Sequence, residues 1–199
     1  MEKALIIFTR NPELGKCKTR LAKTIGDVAA LNIYKLLLNH TANIAKKVDV
    51  ERFVFYSENI IEEDIWDKKY FNKLSQKGND LGERMHHAFE ILFQKGFEKV
   101  VIIGSDLLDL NVNIIEEAYQ KLDDNDVIIG PAKDGGYYLL GMKKNHQNIF
   151  KNKNWGTSSV RKDTLSDLID YQLILLETLN DIDTFEDMKH YEELKTYYQ

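Results

Sequence analysis

Two hydrophobic periods alternate along this chain. Runs that are apolar at every position, such as Ala4-Leu5-Ile6-Ile7-Phe8 and Val100-Val101-Ile102-Ile103, predict strands buried on both faces, the pattern of central parallel strands covered by helices. Between them lie stretches with apolar positions three and four apart. From Asp27 to Lys47, Ala30, Ile33, Tyr34, Leu37, Leu38, Thr41 and Ile44 fall on one side and predict a helix. Further strands are predicted over Lys3–Thr9, Arg52–Tyr56, Lys73–Gln76, Lys99–Gly104 and Asp126–Gly130, and further helices over Leu81–Lys95, closed by Gly96, and Asn113–Leu122. Ile60–Asp67 has room for a short helix.

The pattern then changes. Lys133-Asp134-Gly135-Gly136 predicts a turn, and Tyr137–Met142 a strand that returns antiparallel. His146–Gly156 reads as irregular, Ser158–Leu168 as a helix and Tyr171–Leu176 as a strand. Thr184–Tyr197 reads as a last helix, with Asp187 three residues after Thr184 in a capping pattern. Repeated β/α units followed by an antiparallel addition define an α/β fold with a mixed, mostly parallel sheet, in one domain over 1–199.

Composition narrows the function classes. A net charge of −5 over 199 residues disfavours nonspecific nucleic-acid binding, which needs a basic face to replace counterions. No segment approaches the ~20 apolar residues of a membrane span, and the opening apolar run is too short for a signal peptide. Cys17 is the only cysteine, so no intrachain disulfide forms. These features together suggest a cytoplasmic enzyme. The neighbouring cations would favour a Cys17 thiolate, but a small residue tolerated in a loop is the simpler reading. The five histidines show no paired metal-ligand spacing.

Against that acidic background, the segment from Phe8 to Leu21 gathers Arg10, Lys16, Lys18 and Arg20 around Pro12 and Gly15. It follows the first strand and leads into helix. Such a loop suits phosphates: the backbone approaches closely at Gly15, a helix start offers free N–H groups, and the cations supply charge. It is not a Walker A loop, because Cys17 follows Gly15-Lys16 and no glycine stands at the first position. It is not a dinucleotide fingerprint either, because Gly15 is the only glycine between Phe8 and Leu21. A second candidate, Gly104-Ser105-Asp106, ends a buried strand, where ligands of open α/β sheets bind. A carboxylate there can hold Mg²⁺ against a diphosphate. A third, Asn180-Asp181-Ile182-Asp183-Thr184, places Asp181 and Asp183 on one side of an extended segment. Helix capping by Asp183 or Thr184 would explain part of it equally.

The pattern Arg10-x-Pro12-x-x-Gly15-x-x-Lys18-Thr19-Arg20-Leu21 resembles the signature loop of the nucleotide-diphospho-sugar transferase superfamily. It is closest to the DUF2064 group of bacterial glycosyltransferases and to the guanylyltransferases of molybdopterin and coenzyme F420 synthesis. The resemblance covers nearly the whole chain and implies a three-layer family A glycosyltransferase-like fold. It implies that Lys18, with Gly15 and Arg10, meets the nucleotide phosphates, and that Asp106 with Asp183 or Asp181 holds Mg²⁺ or Mn²⁺. Leu108 stands where relatives have proline. Gln76 and Gly82 match residues that contact the nucleobase, although a surface loop at a helix start accounts for them equally. Asp134, Gly135 and Gly136 match the acceptor or sugar side. Thr157 and Ser158, after Trp155, either close over the substrate or cap a helix.

The implied activity is transfer from a nucleotide-activated substrate to a small-molecule acceptor. A glycosyltransferase breaks the sugar–phosphate bond, whereas a nucleotidyltransferase is attacked at the α-phosphate and releases pyrophosphate. A nucleotide-binding module without catalysis is the third reading.

Overall fold

The computed structural model describes residues 2–198. Its frame is a seven-stranded sheet built around β1 (Lys3–Thr9) and β4 (Lys99–Ile103), which pair parallel to each other. β2 (Glu51–Tyr56) lies parallel on the other side of β1, and β3 (Asn72–Ser75) parallel beyond β2. Past β4 come β6 (Tyr137–Met142), β5 (Val127–Pro131) and the short edge strand β7 (Leu173–Leu175), giving the order β3-β2-β1-β4-β6-β5-β7. β6 is antiparallel to both β4 and β5, as the glycine turn before it predicts.

Successive strand side chains face opposite ways, so each apolar run feeds two cores. Leu5, Ile7, Val101 and Ile103 enter the core beneath α2 (Asp27–Ala45) and α4 (Val112–Lys121). Ala4, Ile6, Val100 and Ile102 enter the core beneath α3 (Leu81–Gln94), with Met85, Ala88, Phe89 and Leu92. The result is three layers, with helices on both faces of the sheet.

A third apolar cluster is the one that matters for the site. Leu21 of α1 (Thr19–Ile25) and Ala30, Ile33 and Leu37 of α2 pack against Ile182, Met188 and Leu194 from the end of the chain. Burying one such leucine side chain stabilises by about 1.5–3 kcal/mol. The C-terminal segment is thereby fastened over the helices that follow the first loop.

The structure departs from the periodicity in three places. Thr19–Ile25 is a helix of its own, separated from α2 by Gly26 at φ +85°. Ile60–Asp67 is an irregular, bent segment rather than a helix. The carbonyls of Ile61 and Glu62 instead accept hydrogen bonds from the buried Lys73 ammonium, at 2.7 and 2.9 Å, and Asp64 accepts from Lys73 and from the Tyr56 hydroxyl. The last helix is only α6 (Phe185–Met188), followed by 3₁₀ turns over Glu192–Tyr197, because Met188 and Leu194 both turn into the third cluster. Ser158–Leu168 contains α5 (Val160–Asp167).

Candidate active site

The first loop is built from backbone conformation as much as from charge. Lys18 is the N-cap of α1 and adopts a left-handed backbone, φ +49°, which is uncommon outside glycine. Gly15 turns at the exposed tip of the loop. The loop's base is held by two residues that the motif does not single out. The Tyr34 hydroxyl, from α2, accepts from Arg10 N at 2.9 Å and donates to Arg10 O at 3.2 Å. The buried Asn11 side chain donates to Asn59 O at 2.8 Å and accepts from Glu58 N at 3.2 Å, tying this loop to the one after β2. Tyr34 lies on the helix stripe read as core. No sequence signal separates it from its neighbours.

The left-handed turn sends Lys18 inward. Its side chain is only 6% exposed and places Nζ 3.0 Å from Asp106 Oδ2 and 3.8 Å from Asp183 Oδ1. Burial alone would lower the Lys18 pKa. The charge and hydrogen bond of Asp106, with Asp183 behind, outweigh it and hold the ammonium above its usual value. The second oxygen of Asp183, Oδ2, pairs with Arg20 at 2.9 Å.

Asp183 arrives here by a chain of contacts. After β7 the segment continues parallel to β5 and past its end, with Lys133 N bonded to Leu179 O at 3.0 Å. Ile182 N then bonds to Asp106 O at 3.0 Å, and Ile182 is fully buried. The Asp187 carboxylate accepts from Thr184 N and Thr184 Oγ1 at 2.7 Å each and from Asp183 N at 3.3 Å, so the capping box locks the same turn. Asp183, rather than Asp181, shares the lysine with Asp106. Asp181 is pushed up to about 6 by burial and by the charges of Asp106 and Asp134.

These groups surround a cleft of about 750 Å³ at the carboxyl ends of β1, β2, β3 and β4. Arg10, Lys16, Lys18 and Arg20 of the first loop line it together with Gly104, Ser105, Asp106 and Asp183, and Lys18 and Arg20 are paired with the two carboxylates. Lys16 is exposed and pairs with Glu13 at 2.6 Å. Burial pushes the Cys17 thiol up despite Lys18 and Arg10, and Sγ donates to Glu13 O, so its neighbours do not activate it. Gln76 lies at the far end with Asn79, Asp80 and Arg84. Its Nε2 donates to Phe55 O at 3.0 Å and Thr9 O at 3.3 Å, leaving Oε1 as its polar atom for a ligand.

Gly82 is placed elsewhere. It is buried in α3, and a Cβ there would lie 2.3 Å from Phe150 O and 2.6 Å from the Trp155 ring. Packing there leaves no room for a side chain; Gly82 stands outside the cleft lining, which takes in its neighbours Asp80, Leu81 and Arg84. Gly135 is likewise a close-approach position: at φ +95°, its Cβ would meet the Ser158 backbone at 2.4 Å. That contact brings the expected acceptor-side residues Asp134, Gly135, Gly136 and Ser158 together. Asp134 Oδ1 accepts from Gly136 N at 2.7 Å, and Thr157 Oγ1 donates to Asn154 O at 2.7 Å. These residues stand outside the lining of the main cleft, on the side where Asp134 acts on Asp181.

Among the described residues no three His, Cys, Asp or Glu side chains form a metal-binding group. Asp106 and Asp183 nonetheless converge on one cation, the Lys18 ammonium. Mg²⁺ is commonly held by one or two carboxylates plus substrate phosphates. The pair fits a metal that arrives with such a substrate.

The model of DUF2064, a family described as uncharacterized proteins conserved in bacteria, matches residues 40–157. The chain belongs to the DUF2064 family. No curated protein matches it in sequence. A solved structure from Desulfovibrio desulfuricans, described provisionally as a nucleotide-diphospho-sugar transferase, is 30% identical, with TM-score 0.89 over 98% of this chain and 89% of that one. A cytidylyltransferase from Leptospira borgpetersenii shares the fold at 13% identity, with TM-score 0.64 over 100% of this chain and 88% of that one. A 4-diphosphocytidyl-2C-methyl-D-erythritol synthase from Anaerococcus prevotii does so at 12%, with TM-score 0.62 over 98% of each. The DUF2064 chain thus has the nucleotide-diphospho-sugar transferase fold expected from its first loop. Among its described residues, no helix is long and apolar enough to cross a membrane.

Proposed function

We propose that this DUF2064 protein is a transferase acting on a nucleotide-activated substrate, with the diphosphate lying between the cationic first loop and the Asp106–Asp183 pair. The observation that carries this reading is the meeting of Lys18, Asp106 and Asp183 at the mouth of the sheet, beneath a cleft whose other end offers Gln76, Asp80 and Arg84 to a base. Lys18, with Arg10 and the loop backbone near Gly15, neutralises charge that grows on the phosphates. Such fixed donors act mainly by positioning and electrostatic stabilisation. Asp106 and Asp183 would hold Mg²⁺ or Mn²⁺, which when bound supplies a positive charge against the diphosphate. Asp134, Gly135, Gly136, Thr157 and Ser158 form the acceptor side.

Glycosyl transfer from a nucleotide-diphospho-sugar is the preferred chemistry, supported by the description of the Desulfovibrio relative. The buried lysine in the phosphate loop gives support to a second reading, nucleotidyl transfer, in which a phosphorylated acceptor attacks the α-phosphate and pyrophosphate leaves. Product analysis by ³¹P NMR separates a nucleoside diphosphate from pyrophosphate.

A thermal-shift panel of nucleoside triphosphates and nucleotide-sugars, with and without Mg²⁺, tests the shared part. A ligand that binds only the folded state raises Tm. The proposal expects at least one Mg²⁺-dependent shift. Binding without any turnover would leave a non-catalytic nucleotide module instead.

A further inference from the structure

Both oxygens of Asp183 and one of Asp106 already face protein cations: Lys18 sits 3.0 Å from Asp106 Oδ2 and 3.8 Å from Asp183 Oδ1, and Arg20 sits 2.9 Å from Asp183 Oδ2. Arg20 is exposed, whereas the Lys18 side chain is almost fully buried against the pair. A divalent ion drawn to the same oxygens therefore meets a like charge that solvent screens poorly. The ammonium can leave only if another anion receives it, because an unpaired buried charge is costly. The one such anion that the proposed function supplies is a phosphate of the nucleotide.

We propose that Lys18 is a built-in counter-ion that occupies the carboxylate pair in the empty protein and excludes divalent metal until a nucleotide diphosphate draws it away. Nucleotide and metal then enter as a unit, and the lysine moves from carboxylate to phosphate as they do. This rests on the nucleotide reading above, but the exclusion of metal by Lys18 is testable without it.

Mn²⁺ binding, followed by the electron paramagnetic resonance signal of the free ion, tests it directly. Lys18→Gly removes the ammonium at a position whose φ of +49° suits glycine. Lys18→Met keeps the bulk and removes only the charge. Without nucleotide, both variants are expected to bind one Mn²⁺ at least tenfold more tightly than wild type, and Arg20→Ala to stay near wild type because Lys18 remains in place. Equal Mn²⁺ affinity in wild type and both Lys18 variants overturns the proposal. So does wild-type protein that binds one Mn²⁺ as tightly alone as with ATP, CTP, GTP or UTP, added separately. Failure of the nucleotide reading looks different: none of the four binds wild type, with or without metal, whatever the variants do with Mn²⁺ alone.

Discussion

Lys18 Nζ lies 3.0 Å from Asp106 Oδ2, although 88 positions separate the two residues in the chain. The contact joins the loop after β1 to the end of β4, and those two strands are direct neighbours in the sheet. Sheet topology therefore delivers the pair, and the left-handed Lys18 backbone aims it.

Loss of either partner should cost activity in similar measure but stability in unequal measure. Lys18→Ala and Asp106→Ala each retain the fold and reduce turnover about a hundredfold, on the order of 3 kcal/mol of transition-state stabilisation. Asp106 is about a third exposed and rehydrates when Lys18 is removed. The buried Lys18 does not rehydrate when Asp106 is removed. Lys18 then keeps only Asp183, at 3.8 Å, so Asp106→Ala should have the lower urea midpoint of the two.

The capping box of α6 should act on the site as well as on the fold. Thr184→Ala removes a hydroxyl that donates to Asp187 Oδ2 at 2.7 Å, in the turn that positions Asp183. We expect a loss of about 1 kcal/mol in chemical denaturation, together with weaker metal-dependent binding of nucleotide. Unchanged metal dependence would show that Asp183 is held by Ile182 and the third cluster alone.

Asp181 makes the metal-free protein pH-sensitive in an unusual direction. Its folded pKa is pushed up to about 6 from an ordinary 3.8 by burial and by the charges of Asp106 and Asp134. A raised carboxyl pKa means that the folded state binds the extra proton. That stabilisation is complete below about 3.8 and is lost as pH rises through about 6. Asp181→Asn should then raise Tm at pH 8 in chelator-treated protein, and the gain should fade toward pH 4. A gain of equal size at both pH values would contradict the raised Asp181 pKa.

Gly82→Ala tests the packing constraint at that glycine. The added Cβ meets Phe150 O and the Trp155 ring well inside contact distance. Overpacking of this kind costs about 1–3 kcal/mol, so the urea midpoint should fall. A variant as stable as wild type would show that Trp155 yields freely.

The fold was legible where the hydrophobic pattern was unbroken. The central runs of β1, β4 and β5 are apolar without a break because both faces are covered, and Tyr137–Met142 returns antiparallel as its glycine turn implied. Ile60–Asp67, open to a short helix in the sequence, forms none, and the last helix is shorter than its pattern predicts, because distant side chains, Lys73 in one case and the third cluster in the other, claimed the backbone or the packing. In the site, Lys18, Asp106 and Asp183 were visible as motif positions, and the structure selected Asp183 over Asp181 as the partner of Lys18. Tyr34 and Asn11 were not visible as supports, because a tyrosine on an apolar stripe and an asparagine in a loop look ordinary until their partners are known. Gly82 was visible as a motif glycine, but its packing against Phe150 and Trp155 was not, because both partners lie far along the chain.

The central claim is that Lys18 and the Asp106–Asp183 pair hold a nucleotide diphosphate together with a divalent cation. Calorimetric titration of wild type, with the nucleotide that gives the largest thermal shift, tests it most directly when run in Mg²⁺ and again in chelator. The account predicts binding in Mg²⁺ that weakens at least tenfold in chelator and is lost to a similar extent in Asp106→Asn. Affinity that is the same in Mg²⁺, in chelator and in Asp106→Asn would contradict it.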